Sequence, residues 1–145
     1  IPFGMARKSS RPSSFWSFMQ NGIGGVEHRM DLIYQGVLQG EITLPRWVEL
    51  CSTTPARMFG LYPQKGIIAP GADADVVLYD PDASWSISVE NHHMNMDYSA
   101  YEGFEIQGKV DTVLSRGKVV IENEQYLGTK GDGKYLRRGL SQYLL

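Results

Sequence analysis

Apolar residues recur at helical spacing from Val26 to Leu38, through Met30, Ile33, Tyr34 and Val37, until Gly40 stops the run. Thr43 is placed to cap a second helix, with Leu44, Val48 and Cys51 on one stripe and Trp47 beside it. Thr54 is placed to cap a third, Pro55 to Phe59, whose first position tolerates a proline because that N–H has no helical partner anyway. After Tyr62 the period changes from helical to two. Asp75 to Tyr79 reads as a strand closed by Asp80-Pro81, and Trp85, Ile87 and Val89 alternate with serines from Ser84 to Val89, as a half-buried strand does. Phe104 to Gln107 is a further strand. Lys109 to Leu114 and Lys118 to Glu122 flank Ser115-Arg116-Gly117 as a hairpin in which the glycine supplies a positive φ. The first twenty residues show no period, and the polar, Gly-rich stretch from Lys130 gives way to alternating basic and apolar residues from Tyr135 to Leu145.

Composition narrows the classes. The chain has 145 residues, 42% hydrophobic and 11% aromatic, enough for one folded core and unlike a disordered segment. A net charge of −2 leaves no electrostatic footprint for nucleic acid or an anionic membrane. No apolar run approaches the roughly 18 residues of a membrane span, and the start lacks the basic and apolar regions of a secretory signal. The single cysteine, Cys51, permits no internal disulfide and suits a reducing compartment. The expectation is a cytoplasmic protein with neither nucleic acid nor membrane as partner.

Thr53 to Pro81 (T-T-P-A-R-M-F-G-L-Y-P-Q-K-G-I-I-A-P-G-A-D-A-D-V-V-L-Y-D-P) ends in wording shared by many amidohydrolases. His92-His93-Met94-Asn95-Met96-Asp97-Tyr98-Ser99 with Tyr101-Glu102-Gly103 looks like the dihydropyrimidinase and D-hydantoinase branch. So do Gly22-Ile23-Gly24-Gly25-Val26-Glu27-His28-Arg29-Met30-Asp31 and Gly131-Asp132-Gly133-Lys134-Tyr135-Leu136-Arg137-Arg138. Four segments in the family's order, from about Asn21 to Arg138, resemble those cyclic amidohydrolases. Ala6 to Gln20 departs from the pattern; divergence and a local reading-frame error would both produce that. Pro2-Phe3 matches a Pro-Phe pair that follows a metal-binding aspartate in the family, which would then precede Ile1.

The resemblance implies an α/β protein. It comprises the C-terminal end of a (β/α)8 amidohydrolase barrel (residues 1–63), part of a small β-sandwich domain (64–128), and an extended C-terminal tail (129–145) acting as an oligomer contact. The sandwich would lack strands supplied by the front of the enzyme, leaving open edges and an uncovered apolar face. Such enzymes open dihydropyrimidines or hydantoins to N-carbamoyl amino acids as homotetramers. They use two metal ions, expected to be zinc, held by a His-x-His pair, a carboxylated lysine, two further histidines and an aspartate. This chain contains no His-x-His, so no metal ligand is assigned and none of the ions is expected to be bound by it. Asn21 is the one substrate-binding position carried over: its backbone would meet the ring amide of the cyclic substrate, with the following glycines allowing close approach. A plain Asn-Gly turn is the structural alternative.

The other candidates favour structural roles. His28, His92 and His93 fall in family segments outside the metal site. Adjacent His92 and His93 cannot both face one site in an extended segment; loop packing or a hydrogen bond to Asp97 is expected. Asp73 and Asp75 are spaced as a carboxylate pair but are expected to shape the turn into the strand. Cys51 reads as a small core residue. Arg137-Arg138 with Lys134 reads as an oligomer contact. The isolated chain is expected to be inactive. A non-catalytic relative that serves as an assembly scaffold is the alternative reading.

Overall fold

The computed structural model describes residues 24–143. Three helices, α1 (Arg29–Leu38), α2 (Leu44–Val48) and α3 (Thr54–Met58), precede four strands, β1 (Val76–Ser86), β2 (Glu105–Ser115), β3 (Lys118–Glu122) and β4 (Gln125–Tyr126). The strands form one antiparallel sheet in the order β1-β2-β3-β4. The helical front and β rear follow the change of period in the sequence.

α1 begins at Arg29 rather than at Val26, because Val26–His28 form a turn. That turn leaves Val26 90% exposed and buries His28 instead. The inward residues of the helix are Asp31 and Tyr34, so a carboxylate, not the expected valine, faces the core.

The second and third predicted helices are fused. Thr54 takes helical angles (φ −62°, ψ −48°), not the extended ones of a capping residue, and a π-helical turn, Glu49–Thr53, joins α2 to α3. Thr54 N donates to Glu49 O, five residues back. Pro55 has no N–H to continue the ladder, and widening one turn is how a helix passes such a residue. Thr43 does cap α2, its Oγ1 accepting from Arg46 N at 3.3 Å. Trp47 is the core residue of this run at 6% exposure, whereas Leu44 and Val48 stay half exposed, so the inward stripe is rotated from the predicted one.

Asp80-Pro81 does not end a strand. β1 continues to Ser86, and the register slips between Asp80↔Lys109 and Ser84↔Gln107, so that the proline sits in a bulge where no ladder donor is required. Opposite lies Gly108 with φ +90°, joining what reads as two strands into one β2. Two two-residue turns with positive φ throughout, Arg116-Gly117 and Asn123-Glu124, close the β2–β3 and β3–β4 hairpins. The second hairpin has no Asn-Gly or Asp-Gly signal, and β4 is therefore absent from the sequence reading.

α1 packs across β2. Gln35 Nε2 donates to Gln107 O at 2.9 Å while Gln107 N donates to Gln35 Oε1 at 3.3 Å, on a stretch of β2 that β3 does not reach. Tyr34, Trp47 and Tyr79 interlock with centroids 4.9–5.2 Å apart, in tilted and edge-on pairs. Among the described residues five apolar side chains are buried (Tyr34, Trp47, Ala56, Ile87 and Ile106) and sixteen large ones are exposed. The core is thin, and it lies where α1 and Trp47 meet the β1–β2 pair.

Candidate functional site

Turn and strand bring two histidines together. His28, at the foot of α1, is 1% exposed and lies between Trp85 of β1 (5.8 Å between centroids) and His92 of the loop after β1 (6.3 Å, interplanar angle 71°). Neither ring nitrogen of His28 or of His92 has a hydrogen-bond partner. Burial pushes His28 below its ordinary pKa and His92 adds to this, while nearby Glu27 pulls the other way. Burial therefore favours the neutral form of the His28 imidazole.

The neighbouring His93 faces outward, as the alternation of an extended segment requires. Its partner is Glu27 rather than Asp97. The Glu27 carboxylate accepts the His93 backbone N–H (2.8 and 3.0 Å) and lies 2.6 Å from its Nδ1, while Nε2 lies 3.2 Å from Glu124 O. The Glu27 bond raises the His93 pKa against the cost of burial. Burial acts to raise Glu27, but the side-chain and backbone bonds from His93 hold it below its ordinary value.

One helical turn along, Asp31 is 4% exposed and its Oδ1 has no hydrogen-bond partner. Burial pushes its carboxyl up to about 6, with the Tyr79 hydroxyl and Lys109 holding part of the rise back. Burial and Asp31 together push the Tyr79 phenol above its ordinary value, and its hydroxyl makes no well-aligned hydrogen bond. Asp31, Tyr79 and Glu27 had no assigned role in the sequence reading. The available signal was two acidic residues, Glu27 just before α1 and Asp31 within its apolar spacing.

Asp73 and Asp75 converge on Lys65, the first at 2.9 Å, and Asp75 Oδ1 also accepts Arg116 N at 2.8 Å. They fasten the entry to β1 to the β2–β3 turn, which is the structural role expected of them. Cys51 is half-buried on the wall of an open groove of about 890 Å³ between the α2–α3 run and β1, with Trp47, Val48, Ile67 and Val77. Burial pushes its thiol above the ordinary value, the opposite of a nucleophile's environment. Lys134, Arg137 and Arg138 lie exposed on a tail pinned to the chain's own helix end by Gly139 N→Gly60 O (2.8 Å) and Gln142 N→Arg57 O (3.1 Å). Asn21 lies outside the described residues. Among the described residues no three His, Cys, Asp or Glu side chains are grouped to hold a metal ion, and no helix is long and apolar enough to cross a membrane.

The amidohydrolase family profile matches residues 12–120. The chain belongs to the amidohydrolase family. Within it the chain is 54% identical over 143 residues to a D-hydantoinase of Streptomyces coelicolor, a match covering 99% of this chain and 31% of that protein. That alignment takes in the Ala6–Gln20 stretch that departs from the family wording. A D-hydantoinase of Ralstonia pickettii is 51% identical over 118 residues, 81% of this chain and 26% of its own. Among solved structures a D-hydantoinase superposes with a TM-score of 0.81 at 49% identity, over 85% of this chain and 27% of that one. A D-hydantoinase (dihydropyrimidinase) from Thermus sp. gives 0.81 at 46% identity, over 86% and 27%. This amidohydrolase chain thus spans under a third of the length of these relatives.

Proposed function

We propose that this chain is the C-terminal part of a dihydropyrimidinase- or D-hydantoinase-type cyclic amidohydrolase, which opens a dihydropyrimidine or hydantoin ring to an N-carbamoyl amino acid. The observation that carries this reading is the D-hydantoinase backbone followed over 85% of the chain at 49% identity. In this reading α1–α3 are the last helices of a (β/α)8 barrel and β1–β4 are part of its small β-sandwich. The tail contributes to a homotetramer, and Asn21 offers its backbone to the ring amide. The enzyme is assigned to the cytoplasm.

Family chemistry calls for two metal ions, here proposed to be zinc, and the described residues do not fit that task. The unpartnered imidazoles of His28 and His92 are a pair with no third ligand grouped beside them. We therefore place the metal ligands in the two-thirds of the relatives' length that the chain does not span. The groove beside α2 and α3 is where that remainder would pack, which accounts for exposed Val48, Phe59, Ile67 and Ile68 along its wall.

Purified alone, the 145-residue chain is expected to hydrolyse neither dihydrouracil nor hydantoin when zinc is supplied. Zinc-dependent turnover by the chain would overturn the assignment of its chemistry to absent residues. The coding sequence before Ile1 decides between enzyme and scaffold: a His-x-His pair supports the hydrolase, and its absence supports the non-catalytic alternative.

A further inference from the structure

We propose that Glu27, His93 and the Glu124 carbonyl form a clasp that holds the loop of residues 88–103, with its His92, over buried His28, and that this loop opens on both the acid and the alkaline side of neutrality. The clasp rests on geometry and is independent of the activity proposed above.

A neutral imidazole carries one N–H, so it donates one hydrogen bond. Both ring nitrogens of His93 nevertheless face oxygens, Glu27 Oε1 at 2.6 Å and Glu124 O at 3.2 Å. Only the imidazolium donates to both. The same carboxylate also takes the His93 backbone N–H, so one Glu27–His93 pair fixes both the side chain and the main chain of the loop. The far anchor is stiff, because Asn123 and Glu124 both hold positive φ in a two-residue turn and Glu124 is ion-paired to Lys109 of β2. The loop's own ends are tied as well, by Val89 N to Glu102 Oε2 (2.9 Å) and by Ile87 N to Phe104 O (2.9 Å).

At His28 the requirement is reversed. Its ring packs against Trp85 and His92 with no acceptor for either ring nitrogen, so protonating it places an unpaired charge in the interior. The charged and titratable groups facing His93 are Glu27 before α1 and, from the hairpin side, Glu124 with Lys109; those facing His28 are Glu27 and His92. His93 holds its proton more tightly in the closed state. Its contribution is complete below about pH 6.5, the pKa of a free histidine, and is lost as pH rises through the closed-state value. His28 binds its proton less tightly when closed. Its contribution is complete above about pH 6.5 and is lost as pH falls, with Glu27 failing further down. The closed loop is most stable where the two limits meet.

The test is amide hydrogen exchange of the full chain between about pH 5 and pH 9, corrected for intrinsic exchange and read on residues 89–101. Protection is expected to peak near about pH 6.5 and to fall several-fold on each side. His93→Gln should abolish the alkaline fall and keep the acid one. Flat protection across the range, or an alkaline fall that survives His93→Gln, would overturn the clasp. Should that variant not fold, the His93 ring carbon shift of the unaltered chain decides. A midpoint above that of a free histidine supports the clasp, and one at or below it overturns the clasp.

Discussion

Gly108→Ala is expected to be among the most damaging single changes in this chain. Gly108 holds φ +90° opposite the Pro81 bulge, and a β-carbon there would sit 2.6 Å from Tyr79 Oη, 2.7 Å from Tyr79 Cε1 and 2.8 Å from Tyr34 Cε1. Neither ring can retreat easily, since both are wedged against Trp47 at about 5 Å between centroids. The left-handed backbone costs roughly 1–2 kcal/mol for alanine, and forcing a methyl between two packed rings costs about 1–3 kcal/mol. The smaller conformational entropy of the unfolded alanine chain returns about 0.4–1 kcal/mol. The net loss is about 1–5 kcal/mol, a large part of the roughly 5–15 kcal/mol that holds a small domain together. Urea unfolding followed by tryptophan fluorescence measures it, with Gly133→Ala as the control, because a β-carbon there meets nothing within 4 Å. Tyr79→Ala and Gly108→Ala combined should cost less than the sum of their separate losses, the pair being non-additive. A Gly108→Ala midpoint indistinguishable from that of the Gly133→Ala control would refute the reasoning.

Asp31, raised from 3.8 to about 6 by burial, binds its proton more tightly folded than unfolded, so its contribution is complete below about pH 4 and is lost as pH climbs through about 6. Asp31→Asn should therefore gain about 1–3 kcal/mol over the parent at neutral pH and nothing near pH 4, read from paired urea titrations. The chain alone should self-associate through the groove that leaves Val48, Phe59 and Ile68 exposed, giving sedimentation profiles that change with concentration. Val48→Lys should shift those profiles toward the monomer, and a concentration-independent monomer for the parent chain would contradict the open-groove account.

The succession of helices and strands was legible because amphipathic period survives in short segments: α1, Thr43 as cap, and the β2–β3 hairpin stand close to where the sequence puts them. What failed were the punctuation marks. Pro55 and Pro81 were expected to bound elements, but tertiary packing carries both through, one by a π-helical turn and one by a bulge. Local propensity cannot report such detours, because their cost is offset by contacts made elsewhere in the fold. The site was less legible still. The outward turn of His93 follows from strand alternation, but its Glu27 partner lies 66 residues away and nothing local announces it. Asp31 was hidden because a carboxylate at a core position breaks the binary pattern that reveals a core.

The Gln35 carboxamide occupies both main-chain groups of Gln107 on the side of β2 that its neighbour strand leaves bare. That stretch offers no ready template for an incoming polypeptide, although it has no strand beside it. Removing that single helical side chain would turn a sealed margin into an adhesive one, a second route to association beside the apolar groove.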